Sequence, residues 1–426
     1  MKRKTIKTPN GFIYFLVWLL IYPLLKIVFR LKVDRGGFRL PKGPFVVVSN
    51  HQSFADFLLV MLTMYPRRLN AVTAQKFFYF RFLSVLLPVV GCIPKNLFDP
   101  DPRAIRSMLT VIKRNAGLLI FPEGRCSADG MYAGIHKSTG KLIKKLGVPV
   151  ICSLTEGAYD CMPFRRKGIR AGRVYVTRRV LFTAEETRSL SVEQINAGID
   201  AGLSGAGFQS APKTFGTTGK RKLAQGLENI LYLCPKCGSE FSLETKGNTV
   251  FCRACGNAAV MDRRTKLTPL PGSESPGTVH EWYKKQALYE SGLLNENKEP
   301  AVKISVKVRM PAGVGKGLKS CGYGELLLDR SGWHYDGELS GEHVSLFFPI
   351  ETVPAIPFDP NDNFQIYAKG RFFLFTPSDN PRACVKYAVM GECAHWNFAP
   401  EVRMTAGFDG GFSEGRAPSG AGQGRS

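Results

Sequence analysis

Residues 44–180 predict an α/β domain built on a largely parallel sheet, and three observations carry that expectation. Short apolar runs bounded by turn residues recur at 45–49, 89–93, 118–121, 150–153 and 173–177, the form taken by strands buried on both faces. Amphipathic stretches at 54–64, 103–114 and 137–146 fall between them, the last stopped by Gly147 and Pro149. Strand and helix in alternation is the pattern of a parallel sheet with helical crossovers. The third observation is position: two charged blocks, at 50–56 and 121–125, each begin where an apolar run ends, and open α/β sheets bind ligands at the carboxyl ends of their strands.

At 426 residues the chain has room for two or three domains. The formal net charge is +24, from 58 Lys and Arg against 34 Asp and Glu, which points to an anionic partner. The charge is uneven. Residues 1–42 hold ten Lys or Arg and one acid, Asp34, around the most hydrophobic stretch of the chain. Between Thr8 and Leu25 there is no charge, and Tyr14, Trp18 and Tyr22 are interface-type aromatics. No small-residue cleavage site follows, both flanks are basic, and Pro23 interrupts the run. Residues 1–40 are therefore expected to be a membrane-anchoring helix lying in the cytoplasmic face of the cell membrane, with an anionic membrane surface as partner. The cluster Arg165, Arg166, Lys167, Arg170, Arg173, Arg178 and Arg179 suits the same surface.

The α/β domain is expected to run over 41–205, followed by a Gly, Ser, Thr and Lys-rich linker at 206–230. A cysteine module occupies 231–264. Residues 265–400 should form a small β-rich domain, with a helix at 279–288, strands near 325–329, 344–350 and 371–375, and a closing helix at 382–396. Several strands and one terminal helix suggest a pleckstrin-like sandwich. The tail, 401–426, is rich in glycine and poor in large apolar groups, and is expected to be disordered.

In the first charged block, Asn50-His51-Gln52-Ser53-Phe54-Ala55-Asp56, an imidazole and a carboxylate stand five residues apart. On one continuous helix they would point about 140° apart. His51 must therefore lie in the loop before the helix, with Asp56 in its first turn, for the carboxylate to orient the ring as a base. Ser53 with Asp56 also has capping-box spacing, a role compatible with the first. In the second block, Phe121-Pro122-Glu123-Gly124-Arg125, Pro122 ends the strand and Gly124 permits a turn. Arg125 offers a planar fork for a phosphate, and Glu123 can accept from hydroxyls.

Together these blocks resemble the glycerophospholipid acyltransferase family, typified by 1-acylglycerol-3-phosphate acyltransferase, over residues 40–180. The resemblance implies that His51 and Asp56 are the catalytic pair and that the Phe121 to Gly124 block binds the acceptor. The family's intermediate motif is matched by Gly91-Cys92-Ile93-Pro94-Lys95, with Lys95 where Arg is usual, and its fourth motif by Val148-Pro149-Val150-Ile151. Lys95, Glu123, Gly124 and Arg125 are thus the expected acceptor-binding residues. One departure stands out: Arg125-Cys126-Ser127 replaces the commoner Thr-Arg-Ser, a variant similar to that of some lysophosphatidylethanolamine acyltransferases.

The reaction implied is transfer of a fatty acyl group from a thioester, acyl-coenzyme A or acyl carrier protein, to the free hydroxyl of a lysophospholipid. The first expectation is 1-acylglycerol-3-phosphate giving phosphatidic acid, and the alternatives are lysophosphatidylethanolamine and glycerol 3-phosphate. The acceptor's hydroxyl is the nucleophile and a thiolate leaves readily, so a base and donors for the oxyanion suffice without a catalytic cofactor. Cys126 has no partner His at a recognisable spacing and is read as incidental. A nonenzymatic membrane adaptor is the rival class, and it has no need of either block.

Cys234-Pro-Lys-Cys237-Gly and Cys252-Arg-Ala-Cys255-Gly are two knuckles separated by 14 residues. This spacing predicts one structural zinc held by Cys234, Cys237, Cys252 and Cys255. Five Lys or Arg against three acids between Tyr232 and Arg264 is too mild a balance for nucleic acid, so a docking or folding role is expected, remote from His51.

Overall fold

The computed structural model describes residues 6–205, 216–296, 302–368 and 370–399. The expected tail, 401–426, and the first part of the expected linker, 206–215, lie outside them. Helix α1 (Gly11–Val28) opens the fold, its first turn capped by the Asn10 side chain, which accepts from the N–H groups of Phe12 and Ile13. It is followed by β1 (Lys32–Asp34), β2 (Phe45–Ser49), α2 (Asp56–Thr63), β3 (Leu69–Ala74), α3 (Arg81–Val89), β4 (Ile93–Lys95), α4 (Pro102–Lys113) and β5 (Gly117–Ile120). Next come α5 (Ser138–Leu146), β6 (Val150–Glu156), α6 (Ala158–Cys161), β7 (Gly172–Arg173), β8 (Tyr175–Phe182), α7 (Ala184–Ser189) and α8 (Val192–Leu203).

Seven of these strands form one sheet in the order β1-β8-β6-β2-β5-β3-β4. Every pair is parallel except β6 with β8. Strands β2 and β5 are buried along their whole length, which is why they read as unbroken apolar runs. The register of β2 on β5 pairs Val48 with Ile120, so the two charged blocks leave the sheet side by side.

Near β4 one expected strand, 89–93, is displaced and one strand, β3, has no counterpart in the sequence pattern. The valines at 89 and 90 belong to the end of α3 and its cap: Gly91 takes φ +76°, and the Cys92 N–H closes back onto Leu87 O at 2.8 Å. A left-handed Gly ends a helix in this way, so the strand begins only at Ile93. Strand β3 escaped notice because Asn70 breaks its apolar run, yet Asn70 is fully buried, donating to Lys7 O and Gly91 O.

Beyond the first sheet, β9 (Gly216–Thr217) pairs with β7. Residues 216–230 do not behave as a linker, because Leu223, Ala224, Leu227 and Ile230 are buried in a core. A four-stranded antiparallel sheet follows, β10 (Leu243–Lys246), β11 (Thr249–Cys252), β12 (Ala258–Met261) and β13 (Leu267–Pro269), and then helix α9 (Val279–Glu296). The last unit comprises β14 (Val302–Pro311), β15 (Leu318–Leu328), β16 (Gly332–Leu339), β17 (Glu342–Pro349), β18 (Phe358–Asp359), β19 (Asn363–Ala368), β20 (Arg371–Pro377) and α10 (Cys384–Phe398). Its sheet is antiparallel, in the order β17-β16-β15-β14-β20-β19-β18.

One hydrophobic core runs from Leu233 and Val250 in the cysteine module through Trp282 on α9 to Trp333, Phe364 and Val389. Polar contacts reinforce it. Gln286 on α9 accepts from the N–H groups of Tyr232 and Leu233, and the Trp282 indole donates to Leu233 O at 2.9 Å.

Candidate active site

His51 stands three positions after Val48, and Glu123 three positions after Ile120. Because Val48 and Ile120 are register partners, the loops after β2 and β5 meet at equal height. The buried Glu123 carboxylate joins them: Oε1 accepts the His51 N–H at 2.7 Å and Oε2 accepts the Ala133 N–H at 3.0 Å. The Ser127 N–H closes a further bond to His51 O at 2.8 Å. Asn50 pins the same loop to β6, exchanging two 2.8 Å hydrogen bonds with the Thr155 backbone.

On this base His51 stands in the loop and Asp56 is the first residue of α2, the only division of the five-residue spacing that lets them meet. Asp56 Oδ2 lies 3.3 Å from His51 Nδ1 and accepts the Ser53 N–H at 2.7 Å, so it orients the ring and holds the loop, but no capping box forms: the N-cap of α2 is Ala55, and the Ser53 hydroxyl accepts from Ala55 N–H instead. The Asp56 carboxyl is fully buried, and burial pushes its pKa up against the opposing pull of His51 and the Ser53 N–H. The His51 ring stacks on Phe121 at 4.3 Å between centroids.

His51 borders a cavity of about 740 Å³. One group of its lining residues is aromatic and aliphatic: Phe54, Phe57, Phe77, Leu83, Leu87 and Phe164. Another is cationic, Lys76, Lys95, Lys141 and Lys145, with the ring of His136 beside it. Burial, then the nearby cations, hold His136 below the usual histidine range, so the ring favours its neutral form. Burial likewise lowers the Lys95 ammonium against Asp101 and Asp99, and its Nζ donates to Asn96 O at 2.8 Å. The amphipathic pattern of 137–146 does not reveal that Lys141 and Lys145 line a cavity.

The second block is arranged differently from expectation. Glu123 spends both oxygens on backbone N–H groups, because burial beneath the two loops leaves it no open direction. Gly124 makes the turn at φ +72°, where an added Cβ would come within 2.8 Å of the Phe98 ring. Arg125 lines the cavity but its guanidinium is already paired, Nη2 donating to Glu392 Oε2 of α10 at 2.8 Å. Cys126 also lines the cavity, and burial, aided by Asp56 and Glu123, raises its thiol well above the usual range, which disfavours a thiolate nucleophile.

Away from this cavity, the sulfur atoms of Cys234, Cys237, Cys252 and Cys255 all lie within 4.8 Å of one another. Tetrahedral coordination with zinc–sulfur bonds of about 2.3 Å places sulfurs about 3.8 Å apart. The separations Cys234 to Cys255, 3.7 Å, and Cys237 to Cys252, 3.9 Å, fit that ion. Each knuckle turns on a left-handed glycine, Gly238 at φ +69° and Gly256 at φ +72°, whose N–H bonds back to Cys234 O or Cys252 O at 3.0 Å. These four thiolates would hold a structural zinc.

Two predictions follow from these geometries. Replacing Cys237 by Ser should release the metal and, because the module shares its core with α9, α10 and the last sheet, should open residues 223–399 to protease as one unit. Metal analysis with limited proteolysis checks this, and cleavage confined to 231–269 would contradict the shared core. Glu123→Gln should lower stability by about 1–3 kcal/mol, since an amide turns N–H groups towards one of two backbone donors. Burial raises the Glu123 carboxyl from 4.5 to about 7, so between those values the folded chain holds a proton that the unfolded chain releases. Glu123 therefore contributes a loss of stability as pH rises through that window, and denaturant melts of Glu123→Gln should lack that part of the slope.

Residues 32–154 match the family described as Acyltransferase, and residues 227–268 match the family described as DNA directed RNA polymerase, 7 kDa subunit. Chloroplastic 1-acyl-sn-glycerol-3-phosphate acyltransferases of Brassica napus and Arabidopsis thaliana are each 28% identical over 153 residues, 35% of this chain. The chain spans 42% and 41% of their respective lengths. The crystal structure of the 1-acyl-sn-glycerophosphate acyltransferase PlsC from Thermotoga maritima aligns with a TM-score of 0.39 at 17% identity, covering 47% of this chain and 82% of that one. Residues 32–154 are accordingly a domain of the acyltransferase family typified by 1-acylglycerol-3-phosphate acyltransferase, followed at 227–268 by a zinc ribbon.

Proposed function

We propose that this chain transfers a fatty acyl group from a thioester to the free hydroxyl of a lysophospholipid, with 1-acylglycerol-3-phosphate as acceptor and phosphatidic acid as product. The observation that carries the reading is the His51 and Asp56 pair on the wall of a cavity that combines aromatic and aliphatic side chains with four lysines. A fatty chain suits the first set and a phosphate the second. The names of the relatives, 1-acyl-sn-glycerol-3-phosphate acyltransferases, favour the same acceptor.

In this mechanism Asp56 accepts from His51 Nδ1–H and fixes the tautomer, leaving Nε2 as the base. Nε2 takes the proton as the acceptor's hydroxyl oxygen attacks the thioester carbonyl. A new C–O bond forms, the C–S bond breaks, and the proton passes from His51 to the departing thiolate. Lys95, with Lys141 and Lys145, holds the acceptor's phosphate, and acyl-coenzyme A or acyl carrier protein supplies the acyl group. Arg125 contributes to acceptor binding through the donors that Glu392 does not take.

We also place this chemistry at an anionic membrane surface on the cytoplasmic side. Helix α1 has 18 residues and is long and apolar enough to cross a membrane by length and composition, so its packing has to distinguish the two placements. Its Tyr14 hydroxyl donates to Met61 O at 2.6 Å, and Trp18 stacks on Tyr65 at 4.5 Å, so one flank is packed on the domain. Phe12, Leu20 and Ile27 on α1 and Phe82 and Val85 on α3 are exposed. This favours an interfacial helix over a spanning one. The four-strand meander β14 to β17, the strands β18 to β20 and the closing α10 support a pleckstrin-like reading of the last unit.

His51→Ala should lower turnover about a thousandfold or more while leaving the thermal midpoint unchanged, and Asp56→Asn should be nearly as severe. Labelled acyl-coenzyme A with a panel of lysolipids measures both, and turnover within a few-fold of the parent in either variant would refute the dyad. Phe82→Asp combined with Val85→Asp should weaken flotation with anionic vesicles in high salt. Unchanged flotation would remove α3 from the membrane face.

A further inference from the structure

The last sheet and α10 are not remote from the candidate active site. The Arg125 guanidinium pairs with both oxygens of Glu392, Nη1 to Oε1 at 2.5 Å and Nη2 to Oε2 at 2.8 Å, and the two side chains are largely buried. Glu392 Oε1 also accepts the Ile356 N–H at 3.0 Å. One carboxylate therefore grips the arginine of the second charged block and the backbone just before β18. Two residues on, Phe358 lines the cavity and packs edge-to-face on Phe164 at 5.2 Å, with Phe164 in turn 6.1 Å from Phe54. Next, Asp359 lines the same cavity and pairs with Lys76 at 3.0 Å. The segment 356–359 is thus tied to the acyltransferase domain on both sides of a phenyl ring that faces the cavity. A separate bond, from Gly370 N–H to Asp99 Oδ2 at 2.7 Å, holds the next hairpin against the same rim.

We propose that the carboxyl-terminal unit supplies a wall of the acyl-transfer site, with Phe358 setting which fatty chain the cavity accepts and Glu392 acting as the positioning residue for Arg125. The inference rests on the acyltransferase reading above. Its physical basis is that an apolar cavity discriminates chain length by the space beyond the chain's end, where one methylene is worth roughly 10–200-fold. The aromatic row Phe54, Phe164, Phe358 is an apolar part of the wall to which two separate units contribute, so its depth depends on how they dock. Glu392 fixes that docking and holds Arg125 in one orientation, because a bidentate pair between planar groups allows little rotation. The fatty chain measured by Phe358 belongs either to the donor thioester or to the acceptor lysolipid.

The test uses the full chain with zinc bound. Donors of graded chain length are assayed against one lysolipid, then lysolipids of graded chain length against one donor. Phe358→Ala should raise relative kcat/KM for chains about two methylenes longer by about tenfold or more in one of the two series, and the series that moves identifies the chain. Phe358→Leu, a milder change, should shift the profile less in the same direction. Glu392→Gln should raise the KM of the acceptor about tenfold with a smaller effect on kcat, and Glu392→Asp should recover part of it. A wall with only a structural role would scale all chain lengths alike, so unchanged profiles in both Phe358 variants, with melting midpoint and zinc content preserved, overturn the proposal while the acyltransferase reading stands. A parent chain that transfers from no thioester overturns both.

Discussion

The Glu123 carboxylate accepts one backbone N–H from the loop after β2 and another from the loop after β5, and the placement of the His51 imidazole follows from that double acceptance. Parallel pairing of Val48 with Ile120 brings the loops to the same height, but a sheet fixes only its own backbone. Past the last ladder bond the chain is free unless something buried claims its donors. Glu123 does so from beneath, with Ser127 closing on His51 O from the other side. Leaving either N–H without a partner would cost about 1–3 kcal/mol and would loosen His51 from Asp56, a contact already 3.3 Å long. Glu123, which the sequence offered as a substrate ligand, is thus occupied in holding His51.

A similar division of labour appears two residues further along. Arg125 is a fork suited to phosphate, yet its charge is met by Glu392, which is 267 positions away in sequence. A buried guanidinium without a counter-ion is strongly unfavourable, so a cavity that keeps Arg125 on its wall requires a partner from somewhere. Lys76 and Asp359 repeat the arrangement on the other side of Phe358. Because the ribbon, α9, α10 and the last sheet share one core, the zinc that stabilises the ribbon also stabilises the unit that presents Glu392 and Phe358. The four-cysteine site therefore bears on the cavity through packing.

The amino-terminal helix is amphiphilic in a less common sense. Nearly all its side chains are apolar, so no polar face marks the side that meets water, and packing alone distinguishes its flanks. Tyr14, Trp18 and Leu25 turn towards α2 and the loop after it, whereas Phe12, Leu20 and Ile27 do not. Sequence composition marks such a helix as apolar, and only the contacts say which flank is left exposed.

Local chemistry was legible in the sequence. The five-residue step from His51 to Asp56 forces a loop followed by a helix start, Gly147 stops α5 in a left-handed conformation, and the two cysteine knuckles specify a tetrahedral site, because each feature is decided within a few residues. The buried strands β2 and β5 were legible for the same reason, since burial on both faces leaves an uninterrupted apolar run. Strand β3 was hidden by Asn70, whose amide is satisfied only by Lys7 O and Gly91 O. The burial of Leu223, Leu227 and Ile230 was hidden by the polar residues around them, and the cavity-facing side of α5 by its resemblance to a solvated basic helix. Glu392 and Phe358 carried no local signal at all. Their roles come from hydrogen bonds and ring contacts made across more than 190 positions, and a single sequence encodes such partners only through the tertiary structure that brings them together.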